Sequence, residues 1–500
     1  MAILKDWLCG IPYEILQGSD MCEVGDVVFD SRKAAPQTVF VCMEGSKIDS
    51  HSFIGDVAAK GCRAIVVEKD VPQIHEDFPA DISVLKVESG RRALAQLSAA
   101  RFGNPSSKML MIGLTGTKGK TSTSYMLQHI LEYCGRRTGV IGTNGVMIRG
   151  EHFETRNTTP DSYELQSWFA RMLEAGCDSV VMECSSQGFK MDRTAGIVFD
   201  YGIFLNISPD HIGPLEHADF AEYLYCKSRL LTQCRTAIVN ADDPHTEELV
   251  KEAGGGWEKL LRFSLHDRTA DLYACDLKFL TGADFTGTAF TACGLMNSEI
   301  RLSIPGEFNV SNALGALTAA ADLRLPADKV REAMSHIHVD GRMEAVYKSD
   351  KFTVIVDYAH NEVSMVNLMA TLKKYHPKRL IAVFGCGGNR SKDRRIGMGQ
   401  AAAKSADFSV FTADNSRFEK TEDIIADIRE AYLGAGGDPS AYVEIPDRRE
   451  AIRYCMANAK QGDMIAVIGK GHEDYQEENG VRRHFLDKEE ILKIRDELGL

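Results

Sequence analysis

One short segment, LTGTKGKTS at positions 114–122, constrains the fold of this chain more than any other feature. It follows an apolar run at residues 109–114 and precedes a helix-compatible stretch at residues 123–133. A strand, a glycine-rich loop and a helix in this order form a phosphate-binding loop, because backbone N–H groups and the helix N-terminus then face one anion. We therefore expect an α/β domain that binds a nucleoside triphosphate.

The residue types in this loop predict separate roles. Gly116 and Gly119 let the backbone curl, Lys120 reaches the outer phosphates, and Thr121 offers a hydroxyl to Mg²⁺. The generic Walker pattern has a glycine at position 114, where this chain has leucine, so the loop is a variant and an incidental glycine-rich turn is the alternative. The loop residues expected at ATP are Gly116, Thr117, Lys118, Gly119, Lys120, Thr121 and Ser122.

Composition limits the remaining possibilities. A chain of 500 residues is too long for one core and should form about three domains. Its net charge of −13 argues against a nucleic-acid-binding surface and a polybasic membrane patch. The 13 cysteines form no CxxC pair, so we expect reduced thiols, and without a long apolar run a cytoplasmic enzyme is expected.

Patterning along the chain predicts three units with boundaries near residues 106 and 338. Strand-like runs at 26–29, 38–43 and 64–68 belong to the first unit, and the phosphate-binding loop opens the second. The third unit repeats an apolar strand, a polar or glycine-rich loop and a helical pattern at 352–360, 380–390, 408–417 and 464–474. In an open parallel sheet such loops gather at one edge, where ligands bind.

Further motifs occur in a fixed order along the chain: NTTPDSYE (157–164), MECSSQGFKMDR (182–193), NISPDHIG (206–213), YCKSRLL (225–231), NADDPH (240–245), GEFNVSNALGA (306–316), DGRMEAV (340–346), VDYAHNE (356–362), FGCGGNRSK (384–392), ADNSR (413–417) and GKGHEDY (469–475). With this ordered set the chain resembles the Mur ligases from residue 30 to residue 476. The resemblance implies an α/β fold of three domains: a UDP-substrate-binding domain (1–106), a central P-loop ATPase domain with a parallel-rich sheet (107–338), and a Rossmann-like domain that binds an amino acid (339–500).

The resemblance also implies an activity. Among these ligases the chain is most similar to those that add the third residue of the peptidoglycan stem, so we expect meso-diaminopimelate to be joined to UDP-MurNAc-L-Ala-D-Glu through an acyl phosphate. The implied cofactors are ATP and Mg²⁺, the partners are these small molecules, and a cytoplasmic monomer without nucleic acid or membrane insertion is expected. The alternatives are the same ligase with L-lysine or another diamine, a folylpolyglutamate-synthase-like ligase, a mechanical P-loop ATPase and a non-catalytic paralogue that binds nucleotide or UDP-peptide.

The resemblance assigns catalytic roles to Lys120, His211 and Lys227, and metal contacts to Thr121, Glu183, His211 and Lys227 as a carbamate. Taken from the residues alone, Lys227 in a helical run is a solvated surface group. The alternatives for the other two are an ordinary strand-end glutamate at Glu183, which we would favour if Ser185, Ser186 and the phosphate-binding loop were absent, and a structural loop histidine at His211. The implied nucleotide contacts outside the loop are Asn309, Asn312, Arg342 and Asp357. The alternative for the two asparagines is helix capping before residues 313–321.

The resemblance also implies two substrate sites. The UDP-dipeptide contacts are Phe29, Ser31, Ser46, Lys47, Ile48, Asn157, Thr158, Thr159, Ser185, Met191 and Arg193; the family has glutamine where this chain has Met191. The diaminopimelate contacts are Arg390, Asp414, Asn415, Ser416, Arg417, Gly469 and Glu473. Arginine pairs bidentately with a carboxylate, and lysine lacks the distal carboxylate of diaminopimelate, so the charge pattern favours diaminopimelate. The family has proline where this chain has Ser416, and we expect serine to loosen the loop. An exposed loop cation is the alternative for Arg417.

Overall fold

A computed structural model describes residues 1–45, 48–71, 74, 78–214 and 216–500. The chain divides into two compact units, Met1–Phe263 with Thr318–Leu323 and Ser264–Leu317 with Arg324–Leu500. The boundaries expected near residues 106 and 338 stay predictions. The predicted residues Ser46 and Lys47 lie outside the described residues.

The elements that begin in the first unit are β1 (Ala2–Ile3), α1 (Leu4–Trp7), β2 (Tyr13–Gln17), β3 (Glu23–Val24), β4 (Asp26–Val28), β5 (Thr38–Val41), α2 (Ile54–Ala59), β6 (Ala64–Val67), β7 (Ser83–Val87), α3 (Gly90–Arg101), β8 (Leu110–Thr115), α4 (Lys120–Tyr133), β9 (Thr138–Gly142), β10 (Gly145–Ile148), β11 (Glu151–Phe153), α5 (Ser162–Glu174), β12 (Ser179–Glu183), α6 (Ser186–Lys190), β13 (Phe199–Phe204), α7 (Phe220–Thr232), β14 (Cys234–Asn240), α8 (Thr246–Ala253) and β15 (Lys259–Ser264).

The elements that begin in the second unit are β16 (Leu272–Leu280), β17 (Gly287–Gly294), β18 (Ser298–Leu302), α9 (Glu307–Asp322), α10 (Ala327–His336), β19 (Glu344–Lys348), β20 (Phe352–Asp357), α11 (Glu362–Lys373), β21 (Arg379–Phe384), α12 (Asp393–Ser405), β22 (Phe408–Phe411), α13 (Thr421–Gly434), β23 (Tyr442–Glu444), α14 (Arg448–Ala457), β24 (Asp463–Ile468), β25 (Tyr475–Glu478), β26 (Val481–His484) and α15 (Asp487–Leu498).

The N-terminal sheet has the strand order β2-β7-β6-β5-β4, in which β4 to β7 are parallel and β2 is antiparallel. The predicted strands at 26–29, 38–43 and 64–68 are confirmed as β4, β5 and β6. Alternate residues of β5 enter two cores, Val39 and Val41 on one face and Phe40 on the other. Burial on both faces explains the continuous apolar runs of these strands.

The phosphate-binding loop follows a central strand of the first unit. Strand β8 lies between β12 and β13 and is parallel to both. It ends at Thr115, and α4 begins at Lys120, so the predicted order of strand, loop and helix is confirmed. Because β8 is flanked on both sides, the loop leaves the middle of the sheet at the carboxyl ends of its strands.

The C-terminal sheet in the second unit has the order β19-β20-β24-β21-β22-β23. Strands β20 to β24 are parallel, and β19 is an antiparallel edge strand. The four strands predicted from the repeated pattern are confirmed as β20, β21, β22 and β24, which are neighbours. Their four carboxyl-end loops therefore meet at one edge, as the sequence predicted.

A buried ion pair ties two of these strand ends together. The Arg448 guanidinium, at the start of α14, donates to both carboxylate oxygens of Asp487 at 2.7 Å. It also donates to the carbonyls of Ala413 and Ile468, each at 3.1 Å. Both charged side chains are fully buried, so each needs the opposite charge of the other to offset its loss of hydration.

No described helix is long and apolar enough to cross a membrane. The cysteines are free thiols in the part of the chain that the structure describes, and most of them are buried. The expectation of reduced thiols stays a prediction.

We expect Arg448→Ala to lower the free energy of unfolding by about 3–5 kcal/mol, because it leaves the Asp487 carboxylate buried and unpaired. The matched control is Arg495→Ala, which removes an exposed ion pair with Asp496 and should cost less than about 1 kcal/mol. Urea unfolding of both variants measures the difference. Equal midpoints for the two variants would contradict the assignment.

Candidate active site

Hydrogen bonds from the segment that follows β13 fix the phosphate-binding loop. Gly119 has a φ of +87° and caps α4, which is the left-handed conformation that glycine adopts without strain. The Asn206 side chain accepts from Lys118 N and donates to Lys118 O, at 2.9 and 3.0 Å. Lys120 Nζ donates to Gly116 O at 2.8 Å, so this ammonium lies at the base of the loop.

Lys227 is buried at the same loop. It lies on α7, the residue is 2% exposed, and its Nζ donates to Gly116 O at 2.8 Å. Tyr223, one helical turn earlier, lies with its ring 4.6 Å from Nζ and its hydroxyl 3.1 Å from Thr117 Oγ1. Burial, with a smaller contribution from Lys120, holds the pKa of Lys227 well below its usual value. The interpretation of Lys227 as a surface group is therefore wrong.

Glu183 is the last residue of β12 and is buried. Its carboxylate accepts from Thr143 N at 3.1 Å and from Thr143 Oγ1 at 3.0 Å. A Cβ added to Gly142 would lie 2.3 Å from Glu183 Oε1, so the glycine leaves room for the carboxylate. The metal contact of Glu183 stays a prediction.

His211 lies in an exposed loop with a φ of +54°, and its Nδ1 is 2.8 Å from Glu216 Oε1. The half-buried residue Thr121 lies in the first turn of α4. Among the described residues, no three His, Cys, Asp or Glu side chains are grouped to hold a metal ion. The four predicted metal contacts therefore do not include a group of three His, Cys, Asp or Glu ligands.

Thr159 connects several residues predicted at the UDP-dipeptide. Its hydroxyl donates to Glu183 O at 3.0 Å and accepts from Ser185 N at 2.9 Å. Arg193 donates to Thr159 O at 2.9 Å. The hydroxyl oxygens of Thr158 and Thr143 are 3.1 Å apart. The Ser185 hydroxyl accepts from Gly188 N and caps α6, so part of this group is structural.

The other residues predicted at the UDP-dipeptide lie as follows. Ile48 and Asn157 are exposed, Phe29 and Ser31 are half-buried in the N-terminal region, and Met191 is the C-cap residue that follows α6.

The nucleotide contacts predicted outside the loop lie in the second unit. Asn309 and Asn312 are buried within α9, and Asn309 accepts from Asn312 at 3.2 Å. The helix begins at Glu307, so the capping alternative is wrong. Asp357 accepts from the backbone N–H groups of Met343 and Ala359, both at 2.8 Å, and burial raises the pKa of this carboxyl group. Arg342 lies over the ring of Tyr358, 4.8 Å from its centroid.

The residues predicted at diaminopimelate come together at the carboxyl edge of the C-terminal sheet. Asn415 donates to Glu473 Oε2 at 2.9 Å, and its Oδ1 accepts from Glu477 N at 2.9 Å. A Cβ added to Gly469 would lie 2.7 Å from Asp414 Oδ2, so the carboxylate packs against this glycine. The loops after β22 and β24 therefore form one group.

Two arginines flank the loop after β21. Arg417 donates to Gly388 O at 2.7 Å, and Arg390 is exposed. A Cβ added to Gly387 would lie 3.0 Å from Arg417 Nη1 and 3.8 Å from Arg390 Cγ. Two guanidinium-bearing side chains at one glycine loop form a place where a carboxylate can be bound.

Ser416 is buried, and its hydroxyl lies 2.6 Å from the hydroxyl of Thr421 at the start of α13. The Ser416 side chain therefore makes a hydrogen bond that proline could not make, and the expectation that serine loosens this loop stays a prediction.

Several residues of the site were missed by sequence reasoning. Lys470 is fully buried and donates to Asn415 Oδ1 at 3.4 Å and to Tyr475 O. Burial lowers the pKa of Lys470. Tyr358 donates to Glu473 Oε1 at 3.4 Å. Tyr223 was also missed, although its four-residue spacing from Lys227 places both side chains on one face of a helix and could have indicated their contact. Nothing in the local sequence marks Lys470 as buried.

The fold and this site define an amide-bond-forming ligase, and the chain belongs to the Mur ligase family. Three family models match it: the Mur ligase family catalytic domain at residues 23–102, the Mur ligase middle domain at 114–320, and the Mur ligase glutamate ligase domain at 341–471.

Individual relatives match over nearly the whole chain. The UDP-N-acetylmuramoyl-L-alanyl-D-glutamate--2,6-diaminopimelate ligase of Clostridium perfringens is 38% identical, with 98% of this chain and 99% of the relative covered. The ligase of that name from Caldanaerobacter subterraneus is 39% identical, with 95% of each covered. A solved structure of a ligase of this name is 30% identical with a TM-score of 0.77, covering 97% of this chain and 98% of that one.

We expect Thr159→Val to lower the free energy of unfolding by about 1–3 kcal/mol, because it leaves the Ser185 N–H and the Glu183 carbonyl without this partner. The adjacent control Thr158→Val removes only a contact between two partly exposed hydroxyls and should change stability by less than about 0.5 kcal/mol. Urea unfolding compares them. A Thr159 variant as stable as its neighbour would contradict the structural role.

Proposed function

We propose that this protein is an ATP-dependent, ADP-forming ligase that joins meso-diaminopimelate to UDP-MurNAc-L-Ala-D-Glu in peptidoglycan precursor synthesis. The observation that carries this proposal is the group of Arg390, Arg417, Asn415 and Glu473 at one sheet edge, in a Mur ligase whose relatives are named for diaminopimelate. We further propose that it works as a monomer in the cytoplasm.

The chemistry follows from the poor leaving group of a carboxylate. Transfer of the γ-phosphoryl group of ATP to the D-glutamyl carboxylate gives an acyl phosphate, and the amine of the incoming amino acid then displaces phosphate. In the proposed arrangement Lys120 and the loop N–H groups bind the phosphates. They stabilise negative charge that develops on oxygen in both steps.

We assign Mg²⁺ to Thr121, Glu183, His211 and the carbamate of Lys227. The donor set fits this ion, because Thr121, Glu183 and the carbamate supply oxygen atoms and only His211 supplies a nitrogen. It forms no closed protein cage, and Mg²⁺ keeps several water or phosphate ligands. Bound Mg²⁺ would neutralise charge on the phosphates. Glu183 is held for this role by its two hydrogen bonds from Thr143.

Carbamate formation at Lys227 is chemically reasonable. The neutral amine attacks CO₂, an N–C bond forms, one C=O electron pair moves to oxygen, and a proton leaves the nitrogen. Only the unprotonated amine reacts, and burial lowers the pKa of Lys227 and so favours this form. The product is an anion beside the Lys120 cation, which offsets part of the cost of burial.

We expect protein equilibrated with ¹³C-bicarbonate to show a carbamate ¹³C resonance that Lys227→Met abolishes. The control is Lys190→Met, because Lys190 is half-buried and its ammonium group is already paired with the Glu222 carboxylate. Active wild-type protein with only a free amine at Lys227 would refute the carbamate.

Selection of the amino acid is proposed to depend on its distal carboxylate. Arg417 and Arg390 would pair with carboxylates, and Glu473 would accept from the distal ammonium group. L-lysine leaves an arginine without its partner, and a mismatch of this kind can cost about 10⁴-fold in discrimination.

We expect Arg417→Ala to lower kcat/KM for diaminopimelate at least about tenfold, since hydrogen bonds to charged groups contribute about 1.5–3 kcal/mol. The control Arg495→Ala, on the C-terminal helix, should leave kcat/KM unchanged. Steady-state phosphate release at varied diaminopimelate measures both. An unchanged kcat/KM for Arg417→Ala would reject this residue as the selector.

The remaining assignments complete the proposal. The nucleotide contacts are Gly116, Thr117, Lys118, Gly119, Lys120, Thr121, Ser122, Asn309, Asn312, Arg342 and Asp357. The UDP-dipeptide contacts are Phe29, Ser31, Ser46, Lys47, Ile48, Asn157, Thr158, Thr159, Ser185, Met191 and Arg193. We also retain domain boundaries near residues 106 and 338.

The deciding experiment measures ADP and phosphate formation with ATP, Mg²⁺ and UDP-MurNAc-L-Ala-D-Glu, with meso-diaminopimelate, L-lysine and L-ornithine compared side by side. Turnover dependent on diaminopimelate is expected. Turnover only with another diamine would show that this diamine, and not diaminopimelate, is the amino acid that the enzyme adds. No ADP with any of the amino acids would overturn the ligase assignment.

A further inference from the structure

The β25–β26 hairpin lies along the loop that carries Arg417. Strand β25 follows the Gly469–Glu473 loop, and β26 returns beside it through the two-residue turn Asn479-Gly480. Both turn residues have positive φ, 50° and 75°, as a tight hairpin turn of this kind requires. The proposed amino-acid contacts do not include any residue of this hairpin.

Hydrogen bonds connect β25 with successive residues of the Arg417 loop. Gln476 Nε2 donates to Asp414 O at 3.2 Å, and Glu477 N donates to Asn415 Oδ1 at 2.9 Å. Arg417 N donates to Glu477 O at 3.0 Å. The loop therefore pairs with the hairpin in a strand-like manner, with a parallel bridge at Arg417.

The conformation of Arg417 makes this pairing important. Its φ is +53°, in the left-handed region that non-glycine residues rarely adopt without support. Its backbone N–H donates to Glu477 O, and its carbonyl accepts from Asn479 N, so the hairpin turn holds it from both sides.

This backbone conformation directs the Arg417 side chain. The guanidinium lies at the Gly387-Gly388 loop, where it donates to Gly388 O at 2.7 Å. A Cβ added to Gly388 would lie 1.9 Å from Ser416 O, so the two loops are in close contact. A change of φ at Arg417 would move the guanidinium away from the loop that Arg390 also flanks.

We propose that the β25–β26 hairpin determines amino-acid specificity by holding Arg417 in its left-handed conformation, with Asn479 and Gly480 as positioning residues. This inference rests on the proposed function, in which Arg417 binds the distal carboxylate of diaminopimelate. The hairpin residues themselves need not touch the substrate.

The test substitutes the turn glycine. Gly480→Val introduces a β-branched side chain at φ +75°, whereas Gly480→Asn places there a residue that tolerates the left-handed region. The matched control is Gly150→Val in the β10–β11 hairpin, where Arg149-Gly150 forms a turn with φ values of 53° and 86°. An added Cβ would have no atom within 4 Å at Gly150 but would lie 3.2 Å from the exposed ring of Phe418 at Gly480, so Gly480→Asn, which adds the same Cβ, controls for that contact.

We expect Gly480→Val to lower kcat/KM for diaminopimelate at least about tenfold, mainly through KM, and to leave KM for ATP within about twofold. Gly480→Asn should remain within about threefold of wild type, and Gly150→Val should not change KM for diaminopimelate. If Gly480→Val does not fold, Gly480→Ala provides the same test with less bulk.

A double-mutant cycle shows whether the hairpin acts through Arg417. In an Arg417→Ala background, Gly480→Val should lower kcat/KM by less than about threefold, because the residue it positions is already gone. Full additivity, or a folded Gly480→Val protein with the wild-type KM for diaminopimelate, would overturn the inference. Wild-type protein that forms no ADP with diaminopimelate would instead overturn the proposed function.

Discussion

The buried pair of Arg448 and Asp487 supports the carboxyl edge of the C-terminal sheet. The Arg448 guanidinium uses its remaining N–H groups on the carbonyls of Ala413 and Ile468, immediately before Asp414 and Gly469. The two loops that begin there are therefore joined to one buried cation. A charge without its partner in this environment is strongly unfavourable, so the pair fixes both strand ends at once.

Both units bury a lysine beside their proposed chemistry, with different surroundings. Lys227 donates to a loop carbonyl and lies near another lysine, so its environment favours a neutral amine that can be modified. Lys470 lies 3.7 Å from Glu473 and donates to Asn415, so its charge is better compensated. Burial lowers the pKa in each case, but the neighbouring groups decide what the side chain can do.

Much of the fold follows from sequence pattern. The apolar runs gave β4, β5, β6 and β8, and the repeated pattern gave the four neighbouring strands of the C-terminal sheet. Local pattern was misleading for Lys227, because a lysine in an amphipathic helix is usually solvated. It was also misleading for Asn309, because the helix begins earlier than the apolar run suggested.

The sequence by itself determined the order of strand, loop and helix around Lys120 and the set of loops that meet at one sheet edge. These depend on local periodicity and on the geometry of parallel sheets. Only the tertiary structure decided that Lys227 contacts Gly116, that Asn415 faces Glu473, and that a hairpin holds Arg417. These contacts join residues far apart in the chain, and burial and hydrogen-bond partners exist only once the chain has folded.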